Sequence, residues 1–427
     1  MPANQTPPPR PRFPSPERRT RSDVIATGAI VACLIAGGAG VWFSSDAHSV
    51  QHHVADGQPQ ELATTSGEMP RTLRPLWTAN TQSEELVVDR EGVVKLEGTK
   101  VTMLNTQDGQ QRWSYDKGEE VCGVTKGWDK TTMVFRGPKG CGQAISLDSL
   151  SGQYWATRDA LAPESVKTFR SSDIIGTFAP KRVEAWRSDL VRTVEIGQPF
   201  TPVKVGKQEY VNCEFTSVGT AGSLLATIQT CPEETEGKKI VRLLNTTPAD
   251  SDAPETWHTF RVPPGSEIVA TSKDRVAITI PGKGKNARLQ VLDKEGKFEN
   301  FTADVGPIVT DRVHRGDTTP FKPLIVRTEK MSGWFNGSAL QAFNPETLKP
   351  MWSLSGALGP GVEVNGKLAV PMRDKGIAIV NQSTGKVERT IAVDREDYKG
   401  AVQLEYTGQN FVEQRGEKLV GLGSADK

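Results

Sequence analysis

Five cysteines are the residues whose spacing says most about chemistry in this 427-residue chain. Cys33 lies inside an apolar run. Cys122 and Cys141 stand 19 residues apart, and Cys213 and Cys231 stand 18 apart. The two local pairs bracket the strand-like stretches Thr131 to Phe135 and Ser223 to Ile228. This favours disulfides 122–141 and 213–231, each stapling adjacent strands in a compartment where disulfides persist. Four cysteines allow three pairings, and buried free thiols are the alternative. Zinc is disfavoured, because no CxxC or neighbouring histidine pair accompanies them.

Other reactive residue types are sparse. No GxSxG elbow, phosphate-binding P-loop, HExxH helix or dinucleotide fingerprint is present. His258 and His314 lie apart, and His48, His52 and His53 fall in a polar stretch that reads as solvated. Asp250 and Asp252 could hold calcium, but read first as a solvated loop. The basic turn from Pro281 to Asn286 could meet an anion, but reads first as a hairpin tip. Trp186, Arg187 and Asp189, with the Gly356–Gly361 loop, could mark a propeller mouth, or form an ion pair between blades.

The elements that must position these residues begin with a membrane segment. Val24 to Phe43 is 20 residues without a charge. As a helix it spans ~30 Å, the thickness of a bilayer's hydrocarbon core. Arg18, Arg19 and Arg21 flank its near end and Trp42 its far end, so the N-terminus is expected in the cytoplasm and the rest outside. A cleaved signal peptide is one alternative. A lipoprotein acylated at Cys33 is another. Residues 1–23, rich in Pro and Arg, read as a disordered tail, and 44–70 as a linker.

From residue 71 the pattern is all-β. A short apolar strand, a polar turn and an aromatic-bearing strand recur, as at 100–115, 143–158, 339–354 and 376–391. The residues before each turn are Leu104, Leu147, Trp186, Leu244, Leu292, Phe343, Val380 and Leu422, spaced 43, 39, 58, 48, 51, 37 and 42. That spacing is a propeller's. The eighth unit lacks its outer strand, while Arg74–Trp77 reads as an outer strand without a unit. Together they complete one blade and close the ring. Eight four-stranded blades are expected, with seven as the alternative. Trp113, Trp155 and Trp352 are expected to wedge between blades.

The unit at Leu104–Trp113 and Leu147–Trp155 resembles the pyrroloquinoline-quinone-type propeller repeat. In order, a basic tail, one span, RPLW (74–77), VCGVTKGWDK (121–130), GCGQAISLD (140–148), EAWRSDLVRT (184–193), GALGPG (356–361) and EQRGEKLVGL (413–422) resemble a family of actinobacterial membrane-anchored propeller proteins, generally uncharacterised. The resemblance implies fold and location. Quinoprotein dehydrogenases use adjacent cysteines and a ligand set for calcium and cofactor that this chain lacks. A fold alone does not license an activity.

Lys and Arg number 52 against 51 Asp and Glu, so nothing in bulk charge points to nucleic acid. The expectation is a β-propeller at 71–427 behind one transmembrane helix, with no catalytic, metal or cofactor site. It would act as an interaction scaffold for an envelope protein or cell-wall component. A sensor binding a small ligand in the channel, and an envelope enzyme, are the alternatives.

Overall fold

The structure is a computed structural model that describes residues 20–44, 49–57, 69–200, 206–282, 287–374 and 376–425. Two compact units divide the chain, 1–50 and 51–427. In the first, a helix runs from Arg21 to Ser44. Thr20 opens it reciprocally. Its hydroxyl accepts the Asp23 N–H, and the Asp23 carboxylate accepts the Thr20 N–H at 2.8 Å. The helix is long and apolar enough to cross a membrane.

The second unit is a ring of eight antiparallel four-stranded blades. Blades 2 to 7 are built from consecutive strands. Blade 2 holds Val121–Gly127, Lys130–Gly137, Gly140–Asp148 and Tyr154–Asp159. Blade 8 joins the two ends of the unit. Val402–Thr407, Asn410–Arg415 and Lys418–Ser424 form three strands, and Leu73–Asn80 is the fourth, in register from Leu73 opposite Ser424 to Asn80 opposite Lys418. The closure expected at Arg74–Trp77 is therefore present.

Burial explains why the strands read as they do. Inner and middle strands are covered on both faces by neighbouring blades, so Ile175–Ala179 and Ala339–Phe343 are buried at every residue. Outer strands have one covered face and alternate, as in Pro350–Ser355. The core is a set of seams. Phe169, Phe178 and Val194 of blade 3 meet Phe215, Leu225 and Leu244 of blade 4. Each such side chain contributes about 1.5–3 kcal/mol when fully buried.

Outer-strand tryptophans lock successive blades. The indole N–H of Trp77 donates to the Thr106 carbonyl of blade 1, that of Trp113 to Ser149 of blade 2, that of Trp155 to Ser188 of blade 3, and that of Trp352 to Gln382 of blade 7. The acceptor sits one residue into each turn. In three of the four, Asn105, Asp148 or Asn381 opens the turn by accepting main-chain N–H groups.

Three features depart from the sequence expectation. Gln51–His53, inside the stretch read as linker, adds a fifth strand to blade 1 beside Gln111–Asp116. A helix, Gly306–Arg315, lies between blades 5 and 6. It lengthens the 292–343 spacing without changing the blade count. The disulfides are 122–141 and 213–231. The second staples the first strand pair of blade 4. The first joins the first and third strands of blade 2, across the strand between them, rather than adjacent strands.

Candidate functional site

The innermost strands surround a central cavity of about 940 Å³. The insertion between blades 5 and 6 crosses into it. Gly316 ends the helix in a left-handed conformation, and the following Phe321 donates its N–H to the Thr216 carbonyl of blade 4 at 2.7 Å. Lys322 next to it reaches Glu85 at 2.5 Å, in the segment leading into blade 1, and the Thr168 hydroxyl of blade 3 at 3.3 Å. The insertion thus ties several blades across the channel.

The cavity is rich in charge. Lys126, Lys167, Arg170, Arg312, Lys322 and Arg327 line it, with Glu84, Glu85, Glu363 and Glu405. Burial pushes the Glu85 carboxyl up, but Lys322, Arg170 and Lys126 more than offset this and hold it below the usual range. At the insertion's root, burial raises Glu267 to about 7 against the pull of Lys239 and Arg312. Lys239 is lowered by the same burial, although Glu267 stands 3.8 Å away. Arg327 is enclosed by protein while its side chain opens on the cavity. Burial lowers it to about 10, and the like charge of Arg170 adds to this.

Apolar groups share the lining, among them the half-buried Val121, Pro323, Leu324, Ile325 and Val362. The described histidines lie outside the lining. His52 is held by the Gly152 carbonyl at 2.7 Å and packs on Tyr115 and Tyr154. His258 packs on Gly296 of the next blade, where four other seams place tryptophan, and His314 is exposed on the insertion helix. The cavity can therefore hold and orient charge.

Of the proposed mouth residues, only Gly361 reaches the channel, with a φ of +80° and the Ala369 carbonyl oxygen 2.3 Å from where a Cβ would stand. Trp186 is buried in the seam of blades 2 and 3, beneath the Arg158 guanidinium. Arg187 and Asp189 pair at 2.8 Å within their own exposed turn. This corrects the mouth reading, and the pair does not bridge blades either. Third-strand ends lie away from the channel in a propeller, so an aromatic there faces the neighbouring blade.

Lys207 lies between Asp250 and Asp252, at 2.7 and 3.1 Å, and supplies the cation for that loop. Cys213, Cys231 and Glu233 lie close together, but the two sulfurs are bonded to each other and offer no thiolate. His48 and residues Lys283 to Asn286 lie outside the described residues, as does the tail 1–19.

The channel residues carry no local motif. Glu85, Arg170, Lys322 and Arg327 come from distant parts of the chain. The readable signal was a charge at the end of a short innermost strand, as in Lys167–Arg170 and Ile325–Arg327.

No family model matches the chain, and no curated protein matches it by sequence. Solved structures match at low identity. BamB from Moraxella catarrhalis is 15% identical, with 82% of this chain and 100% of that one covered and a TM-score of 0.43. Sqt1 from Saccharomyces cerevisiae is 9% identical over 84% and 100%, with a TM-score of 0.48. The N-terminal domain of Nup159 is 11% identical over 84% and 97%, with a TM-score of 0.44. The eight blades rest on the strand pairing itself.

Proposed function

We propose that this protein is a non-catalytic, membrane-tethered propeller that docks an envelope protein outside the cytoplasm. The apolar helix with its arginine flank supports the tether and its orientation. The two disulfides suit an extracytoplasmic body. The docking reading rests on the seam between blades 2 and 3. Trp155 makes the same N–H bond as its counterparts, yet it is 56% exposed whereas Trp113 is fully buried. Val191 is exposed in the turn that Trp155 contacts. At the other end of the same seam Leu161 and Phe200 are exposed around Arg182. Exposed apolar side chains at both ends of one seam, aromatic rings among them, are the kind of surface a protein partner buries.

The test is crosslinking in membranes followed by capture of the tagged chain, with Val191→Asp and Leu161→Asp beside wild type. Neither side chain makes a polar contact, so both variants should melt like wild type. A stoichiometric envelope protein captured by wild type and lost from both variants supports the reading. Capture of wall polymer instead, no partner, or undiminished capture by the variants overturns it.

A further inference from the structure

The charges of the central cavity do not balance among themselves. Glu84 pairs with Lys167 at 3.0 Å, Glu85 with Lys322 at 2.5 Å, and Glu405 with Lys126 at 3.9 Å. Glu363 accepts the Gln382 amide at 2.9 Å. Arg312 is engaged by Asp317 at 2.8 Å and Glu267 at 3.4 Å. This leaves two guanidinium groups on blades 3 and 6. Arg170 has its nearest carboxylate, Glu85, only at 4.0 Å, with that carboxylate drawn to Lys322. Arg327 has no carboxylate within ion-pair distance among the described residues. Among the described residues its guanidinium donates to the Thr271 hydroxyl alone, at 2.5 Å.

Arg327 is not a surface residue left to bulk water. It sits at the end of an innermost strand, surrounded by other blades, and its open side gives onto the cavity. A guanidinium exposed to the cavity keeps its charge at neutral pH and has its donors free for a ligand. Its planar donors match an oxyanion two bonds at a time.

We propose that the cavity is a binding site for a small oxyanion, a carboxylate or phosphate carried on a compact apolar body, with Arg327 as the principal anchor and Arg170 as the second cation. The half-buried apolar lining at Val121, Pro323, Leu324, Ile325 and Val362 takes the body of the ligand. The volume of about 940 Å³ falls within the range of small-molecule sites. This site is separate from the blade 2–3 seam, so the loss of partner capture and the loss of anion binding are independent results.

The experiment is calorimetric titration of the full chain in non-ionic detergent at low salt, with inorganic phosphate and, separately, benzoate. Wild type should bind at least one of them saturably, and the tighter arm names the head group. Arg327→Gln should weaken binding by about tenfold or more, as expected for a lost charged hydrogen-bond pair. Arg187→Gln, in an exposed turn off the channel, should bind as wild type. Without anion, Arg327→Gln should melt at or above the wild-type temperature, because a repulsive pair is relieved. No saturable binding of either anion, equal binding by Arg327→Gln, or a lowered melting temperature for that variant would each overturn the site.

Discussion

Gly152 of blade 2 lies directly beneath the indole of Trp113 of blade 1, so close that a Cβ would stand 2.6 Å from the ring's Cγ. Trp113 is fully buried and its N–H is committed to Ser149, so the ring has nowhere to go. Gly152 also has a φ of +75°. The same relation recurs where Gly109 meets Trp77 and Gly385 meets Trp352. A turn residue without a side chain is what lets one blade seat on the next.

Gly152→Ala should therefore cost roughly 2–4 kcal/mol, the sum of a left-handed alanine and an overpacked seam. Gly98→Ala is the comparison. It has φ +59° but nothing within 4 Å, so it should cost only about 1–2 kcal/mol. Denaturant midpoints of the two variants measure the difference. Equal losses would mean that the ring contact contributes nothing.

Glu413, wholly buried in blade 8, holds two arginines. Arg395 Nε donates to it at 3.0 Å and Arg415 Nε at 2.8 Å, while Arg395 also donates to the Met372 and Gly376 carbonyls of blade 7. Glu413→Gln leaves two buried guanidiniums without a counter-charge. A loss of about 3–5 kcal/mol is expected in equilibrium unfolding. A loss under 1 kcal/mol would show that the pair is solvated.

Glu267 makes stability fall as pH rises. Its folded value, about 7, lies above the 4.5 of the unfolded chain, so the native state holds the proton more tightly between those values. Its stabilising contribution is full below about 4.5 and is lost as pH climbs to about 7. The facing groups are Lys239, Arg312 and Asp317. Melting curves of wild type minus Glu267→Gln should show this slope in that window. A flat difference would assign the window's behaviour to other groups.

The disulfides close loops of 19 and 18 residues. Replacing either pair by serine should cost about 3 kcal/mol through the entropy returned to the unfolded chain. Scans with and without reductant should show about twice that loss in wild type, which has both bridges to lose, and the variant lacking both pairs should be insensitive to reductant.

Legibility followed how local the signal was. Ring closure could be read because Arg74–Trp77 carries an outer strand's aromatic and Lys418–Leu422 a third strand's apolar run. Trp113 and Trp155 could be read from the Asx-to-Gly turn before each, and Trp352 from the turn that Asn344 opens. The helix Gly306–Arg315 was missed because ten residues with Ile308, Val309 and Val313 as their apolar face barely repeat a helical period. The mouth assignment failed at Trp186 because sequence distance from a turn does not say which strand of a blade faces the axis. The channel charges needed the ring itself, since Glu85 and Lys322 lie 237 residues apart.

Blade 8 also sets an order of events during synthesis. Leu73–Asn80 emerges early, but its partner, Lys418–Ser424, is made only after the strands of the other seven blades. Until then two strand edges stay unpaired in the nascent chain, the situation in which edge-to-edge misassociation competes with folding. Completion waits on one contact of very long sequence separation, which makes the final step slow. The nascent ring would have to be shielded in that interval, and a chaperone that binds extended edges is the natural agent.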